Sequence, residues 1–516
     1  MVPPMLALWG WVIVTVILFR ALRPAQALVC CLLGAYLFLP VKASFDLPGL
    51  PTFNKHSLPA IVAAVMTATV AARVAGRPWS TAAQGTGRIL PGWTPGHPLM
   101  RALFVVAVLS VGLSALVNND TLVYGPTVRR GLGPYDAGSM VLAMAVALLP
   151  FLLGRRMLAD EAGRRVLLWG LCLFASVYAA LALFEVRMSP QLNMMVYGFR
   201  PSAWIQHLRG NGYRPMVFLE HGLRLGIFLT MATLVACGLS RIDRRRRTVC
   251  LLAAAWLFGT LVLSKNLGAL AIGLLLVPVA LFLSTRLQIV IAAALAGTVL
   301  FYPLLRSADL IPTDRVVGLF EKFSGEDRAG SLKYRLVNED ILLEKAMQRP
   351  VLGWSSFARN RVFDPETGRD LSVTDGVWVI VIGESGLIGY MGKFGLLTVP
   401  ILMLARRPRQ VEASTAVLAL VMVANLSDMI PNSSLTPITW LIAGALSGRL
   451  EQAPASARAA AETAADPPAR GRLARTRGRA PSDEGSDIPE DSPPQPAMRA
   501  TPYTRQTTLH SRSRRG

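Results

Sequence analysis

SLKYRLVNEDILLEKAMQRPVLGWSSFARNRVFDPETGRDLSVTDGVWVIVIGESGLIGY, residues 331–390, begins as a charged segment that belongs in water and ends inside an apolar run. A stretch that changes character in this way carries polar groups down to a membrane surface. Residues 331–348 place Leu332, Leu336, Ile341, Leu342, Leu343 and Met347 against Arg335, Glu339, Asp340 and Lys345, which predicts an amphipathic helix. Pro350 and Gly353 in RPVLGW then break it. Asp375 stands immediately before GVWVIVIGESGLIGYMG. Within that run Glu384 is a costly charge at membrane depth, of the kind that faces a cavity or a partner. Gly383, Gly386 and Gly389 allow another backbone to come close there.

On both sides of this stretch the chain is a series of apolar runs. Its 516 residues are 53% hydrophobic and 16% charged, with a mean hydropathy of +0.44, too apolar for an ordinary soluble domain. Runs of near-spanning length fall at 5–19, 24–41, 58–75, 100–117, 139–154, 166–185, 222–240, 247–264, 267–284, 287–305, 377–404, 412–429 and 434–448. A spanning helix needs about 20 apolar residues. The expected fold class is therefore all-α, a polytopic helical membrane protein of about 12–13 transmembrane helices. MVPPMLALWGWVIVTVILFR lacks a basic region before its apolar stretch and reads as a retained first helix. Arg20 and Arg23, Arg73 to Arg88, Arg155 to Arg165, Arg241 to Arg247, Arg286, and Arg406 to Arg409 occupy alternate short loops. That alternation marks the cytoplasmic side and puts loops 186–221 and 306–376 on the extracytoplasmic one. The chain divides into N-terminal transmembrane helices (1–185), a region carrying both large loops (186–450) and a cytoplasmic tail (451–516). The tail is expected to be disordered because it lacks apolar periodicity.

The net charge of +22 is spread between apolar runs and not gathered into a patch interleaved with aromatics. This argues against nucleic acid and for membrane lipids and an anionic lipid-borne ligand. All five cysteines lie in or beside apolar runs without metal-like spacing, so neither a disulfide framework nor a metal site is expected, and no cofactor is implied.

The first large loop, VYGFRPSAWIQHLRGNGYRPMVFLEHGLRLGIF, contains Arg200, Arg209, Arg214 and Arg224 together with His207, Glu220 and His221. One arginine at a membrane boundary either snorkels to the interface or binds something. Four in one loop favour an anionic ligand, because guanidinium forks match phosphate oxygens. In LVLSKNLGALAIG, Lys265 is either a turn residue or a further cation for a diphosphate on the same face. Arg335 is either solvated on its helix or aimed into the site. Asp375 is either a helix-capping carboxylate or a general base that orients an acceptor hydroxyl. The polar turn holding Asn425, Asp428, Asn432, Ser433 and Ser434 reads as a plain loop, with closure over the site as the alternative.

These pieces, in this order, resemble the O-antigen ligase and O-antigen polymerase family of bacterial membrane glycosyltransferases over roughly residues 195–405. GYRPMVFLEHG looks like the family's Arg-containing segment before a membrane helix, LVLSKNLGAL like its polar hairpin, and SLKYR through TDGVWVIVIGESGLIGY like its long periplasmic loop and following helix. The resemblance implies a metal-independent transferase at the periplasmic face of the inner membrane. Its donor would be an undecaprenyl-pyrophosphate-linked glycan and its acceptor a second glycan or a lipid. Arg214 and Arg335 then hold the pyrophosphate. Lys265 stands where many members have Arg, and Asp375 where ligases have His, which tilts the reading to polymerase or another exopolysaccharide enzyme. The expected catalytic set is Asp375, Arg335 and Arg214. The expected substrate-binding set is Arg200, Arg224, Lys265, His221 and Glu220. The competing expectation is a lipid-linked sugar transporter or flippase, although the two halves show no internal repeat. The oligomeric state is left open.

Overall fold

The computed structural model describes residues 1–75, 89–208, 212–308, parts of 310–322, and 326–465. In chain order its helices are α1 (Pro4–Ala21), α2 (Pro24–Phe38), α3 (Ser57–Ala75), α4 (Pro98–Val117), α5 (Pro134–Ala147), α6 (Leu149–Met157) and α7 (Glu161–Met188). A short α8 (Leu192–Tyr197) is followed by α9 (Gly222–Ile242), α10 (Arg247–Leu263), α11 (Leu267–Phe282) and α12 (Thr285–Ser307). Then come α13 (Glu326–Met347), α14 (Val377–Ala405), α15 (Ala413–Asp428) and α16 (Pro437–Ala465). Several begin on a proline, whose fixed φ suits the first helical position and whose missing N–H would go unbonded there in any case. Asp160 and Ser284 start α7 and α12 by accepting from the backbone N–H groups of Gly163 and Leu287. Two small antiparallel hairpins, Ser44–Phe45 with Phe53–Asn54 and Leu122–Tyr124 with Thr127–Arg129, are the strand pairs among the described residues.

Helix α9 is buried along nearly its whole length, surrounded by α7, α10, α11 and α15, and α15 is likewise enclosed. A helix that is apolar on every side is stable only inside other apolar material. The outer helices show the converse. Leu6, Ile13 and Ile17 on α1, Leu173 and Val177 on α7, and Leu274 and Leu275 on α11 face outward. Such a belt invites aggregation in water and is what lipid tails require. Among the described residues, eight helical stretches, α5 and α6 counted as one, are long and apolar enough to cross a membrane, and four shorter apolar helices lie among them. The protein is a multi-pass, all-helical membrane protein.

Two boundaries differ from expectation. The run at 139–154 is two helices, α5 and α6, parted at Leu148, two residues before Pro150, which cannot donate a helical hydrogen bond. Helix α16 continues past residue 451, where the tail was expected to begin, to Ala465; residues 466–516 lie outside those described, as does Arg209.

The basic loops at 155–165 and 406–412 meet residues 449–451 of α16 at one end of the bundle. Arg155 pairs with Glu451 at 2.6 Å, Arg449 with Glu412 at 2.8 Å, and the buried Arg164 lies 3.5 Å from Glu412. Helices α14 and α15 start and finish at opposite ends, and α9, at about 1.5 Å per residue, is about 30 Å long. The large loops therefore collect at the other end.

Helix α14 is interrupted. Gly386 has φ +63° and ψ −170°, a conformation open in practice only to glycine. At this break the segment after α13 runs beside the helix. Trp354 N–H donates to Gly383 O at 2.7 Å, Ser355 N–H to Glu384 O at 2.9 Å, and Leu387 N–H to Pro350 O at 2.8 Å. Ser114 on α4 also donates to Glu384 O, at 2.7 Å. The backbone groups released by the break are thus satisfied internally, which membrane depth demands.

Candidate functional site

The segment 212–221 leading into α9 has no regular structure of its own, so its buried backbone groups need partners from elsewhere. Glu185, fully buried near the end of α7, accepts from Leu192 N–H at 3.0 Å, Met216 N–H at 2.9 Å and Val217 N–H at 2.7 Å. Tyr178 OH accepts from Phe218 N–H at 2.9 Å, and Lys55 Nζ donates to Phe218 O at 3.2 Å. Val217 sits at φ +57°, held there by these bonds. Arg214 emerges from this pinned segment, nearly buried. Its side chain lies over Gly222, where a Cβ would come within 2.5 Å of Arg214 Cγ.

On the facing side, α13 presents Arg335, Asn338 and Glu339 on the stripe it buries. Asn338 Oδ1 accepts from Val373 N–H at 2.8 Å and so draws the extended stretch that carries Asp375 against the helix. Arg335 Nε then lies 3.3 Å from Asp375 Oδ2, and Arg335 Nη1 donates to Asn432 Oδ1 at 2.9 Å. Asp375 does not cap α14: Gly376 occupies the cap position, with no side-chain cap bond. The carboxylate faces the arginine instead.

Between these two sides lies a cavity of about 460 Å³, within the range of small-ligand sites. Its wall comprises Gln206, Arg214, Glu220, His221, Leu223 and Arg224 from the first loop and the start of α9. Arg335, Val373 and Asp375 come from the second loop, and Asn432, Ser433 and Ser434 from the turn after α15. His221 Nδ1 accepts from Leu223 N–H at 3.1 Å and caps α9, whose N-terminus is a region of positive potential. The cavity thus joins a helix N-terminus to three guanidinium groups and two carboxylates.

Of the residues expected from the sequence, Arg214, Glu220, His221, Arg224, Arg335 and Asp375 line this one cavity. Arg200 and Lys265 do not. The Arg200 guanidinium stacks 4.8 Å from the Trp204 ring. Lys265, at φ +57°, turns its Nζ to Gly212, where a Cβ would be 2.6 Å away. Both are at the same end of the bundle but outside the lining. The turn read as a plain loop supplies three lining residues.

The sequence reading missed Lys55 and His56. They sit just before α3, far from the loops in the chain, and a lone Lys-His pair carries no motif. His56 Nε2 meets Glu220 Oε1 at 3.1 Å, while Glu220 Oε2 pairs with Arg224 Nη2 at 2.8 Å. Burial pushes the Glu220 carboxyl up, but the His56 hydrogen bond and the charges of Arg224 and Lys55 outweigh it and hold the group down to about 2. Burial lowers the Lys55 ammonium to about 7 against the pull of Glu220, and it lowers the His56 imidazole as well. Glu220 is therefore a fixed negative charge, and Arg224 is clamped by it. Glu339, one helical turn after Arg335, was read only as a polar position. It is buried, accepts from Trp378 Nε1 at 3.4 Å, and burial lifts its carboxyl to about 7 despite that bond and the nearby arginines.

No protein-family model matches this chain, and no curated protein matches it.

Proposed function

We propose that the chain is a membrane glycosyltransferase of polysaccharide biosynthesis, of the O-antigen polymerase or ligase kind, working at the periplasmic face of a bacterial inner membrane. The observation that supports it is the convergence of Arg214, Arg224 and Arg335, from distant parts of the chain, on one cavity in which Asp375 touches Arg335. An undecaprenyl-pyrophosphate-linked glycan is the donor under this reading, and a second glycan or a lipid the acceptor. The diphosphate lies among the arginines and the N-terminus of α9, where its charge is matched without reorganisation as it grows. In the transfer step the bond from sugar C1 to the phosphate oxygen breaks and the diphosphate leaves with the electron pair. The acceptor oxygen bonds to C1, and its proton passes to the Asp375 carboxylate. Charge-assisted hydrogen bonds contribute about 1.5–3 kcal/mol each, so loss of one arginine costs roughly ten- to a hundredfold in donor affinity.

A lipid-linked sugar flippase is the second reading, and the interruption of α14 at Gly386 favours it, because transporters build substrate sites at broken helices. At this break, however, residues 350–355 take up the freed backbone groups, and the charged lining is elsewhere. The test is reconstitution of the purified protein with a diphosphate-linked glycan. Transfer of sugar between carriers, lost in Arg214→Ala and Arg335→Ala proteins that still insert and melt normally, supports the transferase. Movement across the bilayer without a new glycosidic bond refutes it.

A further inference from the structure

Arg335 is held from two directions, and only one of them is explained by Asp375. Its Nη1 donates to Asn432 Oδ1 at 2.9 Å, and Asn432 Nδ2 in turn donates to Asp428 Oδ1 at 2.9 Å. The Asn432 backbone N–H also donates to Asp428 O, at 3.1 Å, so side chain and main chain are tied to the same residue. Asp428 is the last residue of α15 and Asn432 lies in the turn that follows it, and both are buried. The polarity of this chain follows from its ends. A guanidinium only donates and an ionised carboxylate only accepts, so the amide between them has one permitted orientation, oxygen toward Arg335 and nitrogen toward Asp428. Asp428 does not serve its own helix, because a negative charge at a helix C-terminus is opposed by the macrodipole.

The consequence falls on the free edge of the arginine. With Nη1 bound to Asn432, the guanidinium is held at that corner, and its Nε–Nη2 edge is left outside that bond, with Nε 3.3 Å from one Asp375 oxygen as an ion pair. That edge is one of the two forks that bind phosphate oxygens in pairs.

We propose that Asn432 and Asp428 are positioning residues for Arg335: the Asp428–Asn432 pair fixes the guanidinium so that its Nε–Nη2 edge receives a diphosphate oxygen pair. This rests on the diphosphate reading given above. It makes the turn after α15 part of the binding apparatus without contact between Asp428 and the ligand.

The experiment titrates inorganic pyrophosphate into the full-length protein in lipid nanodiscs by calorimetry, with thermal melts of each ligand-free variant to establish folding. Asn432→Ala is expected to weaken binding about tenfold, and the near-isosteric Asp428→Asn, which frees the amide to turn over, roughly three- to tenfold. In the Arg335→Ala background neither change is expected to weaken binding further, because both act through that one side chain. A merely structural role of the turn would lower affinity equally in both backgrounds, and that result overturns the proposal. So does unchanged affinity in Asn432→Ala and Asp428→Asn while Arg335→Ala still loses it, an outcome that leaves the diphosphate reading standing. A wild-type protein that fails to bind pyrophosphate overturns both together.

Discussion

Glu339→Gln is expected to stabilise the protein at pH 8 and to change it little at pH 5. Glu339 lies on the buried stripe of α13, with Trp378 Nε1 as its hydrogen-bond partner at 3.4 Å. Burial raises its carboxyl from an ordinary value of 4.5 to about 7, opposed by the Trp378 bond and by the charges of Arg306 and Arg335. Between those two values the folded protein binds a proton that the unfolded chain has lost. Stability therefore falls as pH rises from 4.5 through about 7 and is level above that. At about 1.4 kcal/mol per pH unit the full loss is at most about 3 kcal/mol. Glutamine keeps the acceptor oxygen for Trp378 and cannot ionise, so it escapes that loss. Thermal unfolding of both proteins in nanodiscs at pH 5 and pH 8 should show a gain of a few degrees at pH 8 and little at pH 5. An equal change at both pH values, or a destabilised variant at pH 8, refutes the reasoning, since packing alone has no cause to follow this titration.

Three further outcomes follow from the same geometry. Asp375→Asn should bind pyrophosphate roughly two- to fivefold more tightly, because it removes a half-exposed carboxylate that competes for Arg335, while losing transfer activity; calorimetry and a carrier-to-carrier transfer assay read the two effects separately. Gly386→Ala places a Cβ 2.2 Å from Val351 O at a φ of +63°, so a loss of at least about 2 kcal/mol is expected in thermal melts, with the paired segment 350–355 gaining hydrogen exchange. Glu185→Leu strands the N–H groups of Leu192, Met216 and Val217 at about 1–3 kcal/mol each. It should release the Arg214 segment, so that pyrophosphate affinity falls together with the melting temperature.

What could be read in the amino-acid order was whatever depends on runs and spacing. A span shows itself as about 20 apolar residues, because lipid penalises unpaired polar groups wherever they lie in the chain. The two polar loops were visible for the same reason, and so was their content of Arg214, Glu220, His221, Arg335 and Asp375, which with Arg224 line one cavity. Tertiary contact decided the rest. Lys55 and His56 approach Glu220 only because the stretch leading into α3 is folded against the stretch leading into α9, and Arg200 lies outside the cavity with its guanidinium on Trp204. On α13 the apolar pattern did not foretell that Asn338 and Glu339 would face inward, since their partners, Val373 and Trp378, come from beyond a turn. The orientation of Arg335 is the clearest case. Its charge can be read from its place in the sequence, but the edge it offers is set by an amide and a carboxylate nearly a hundred residues later, and hydrogen-bond direction between side chains exists only once the fold has brought them together.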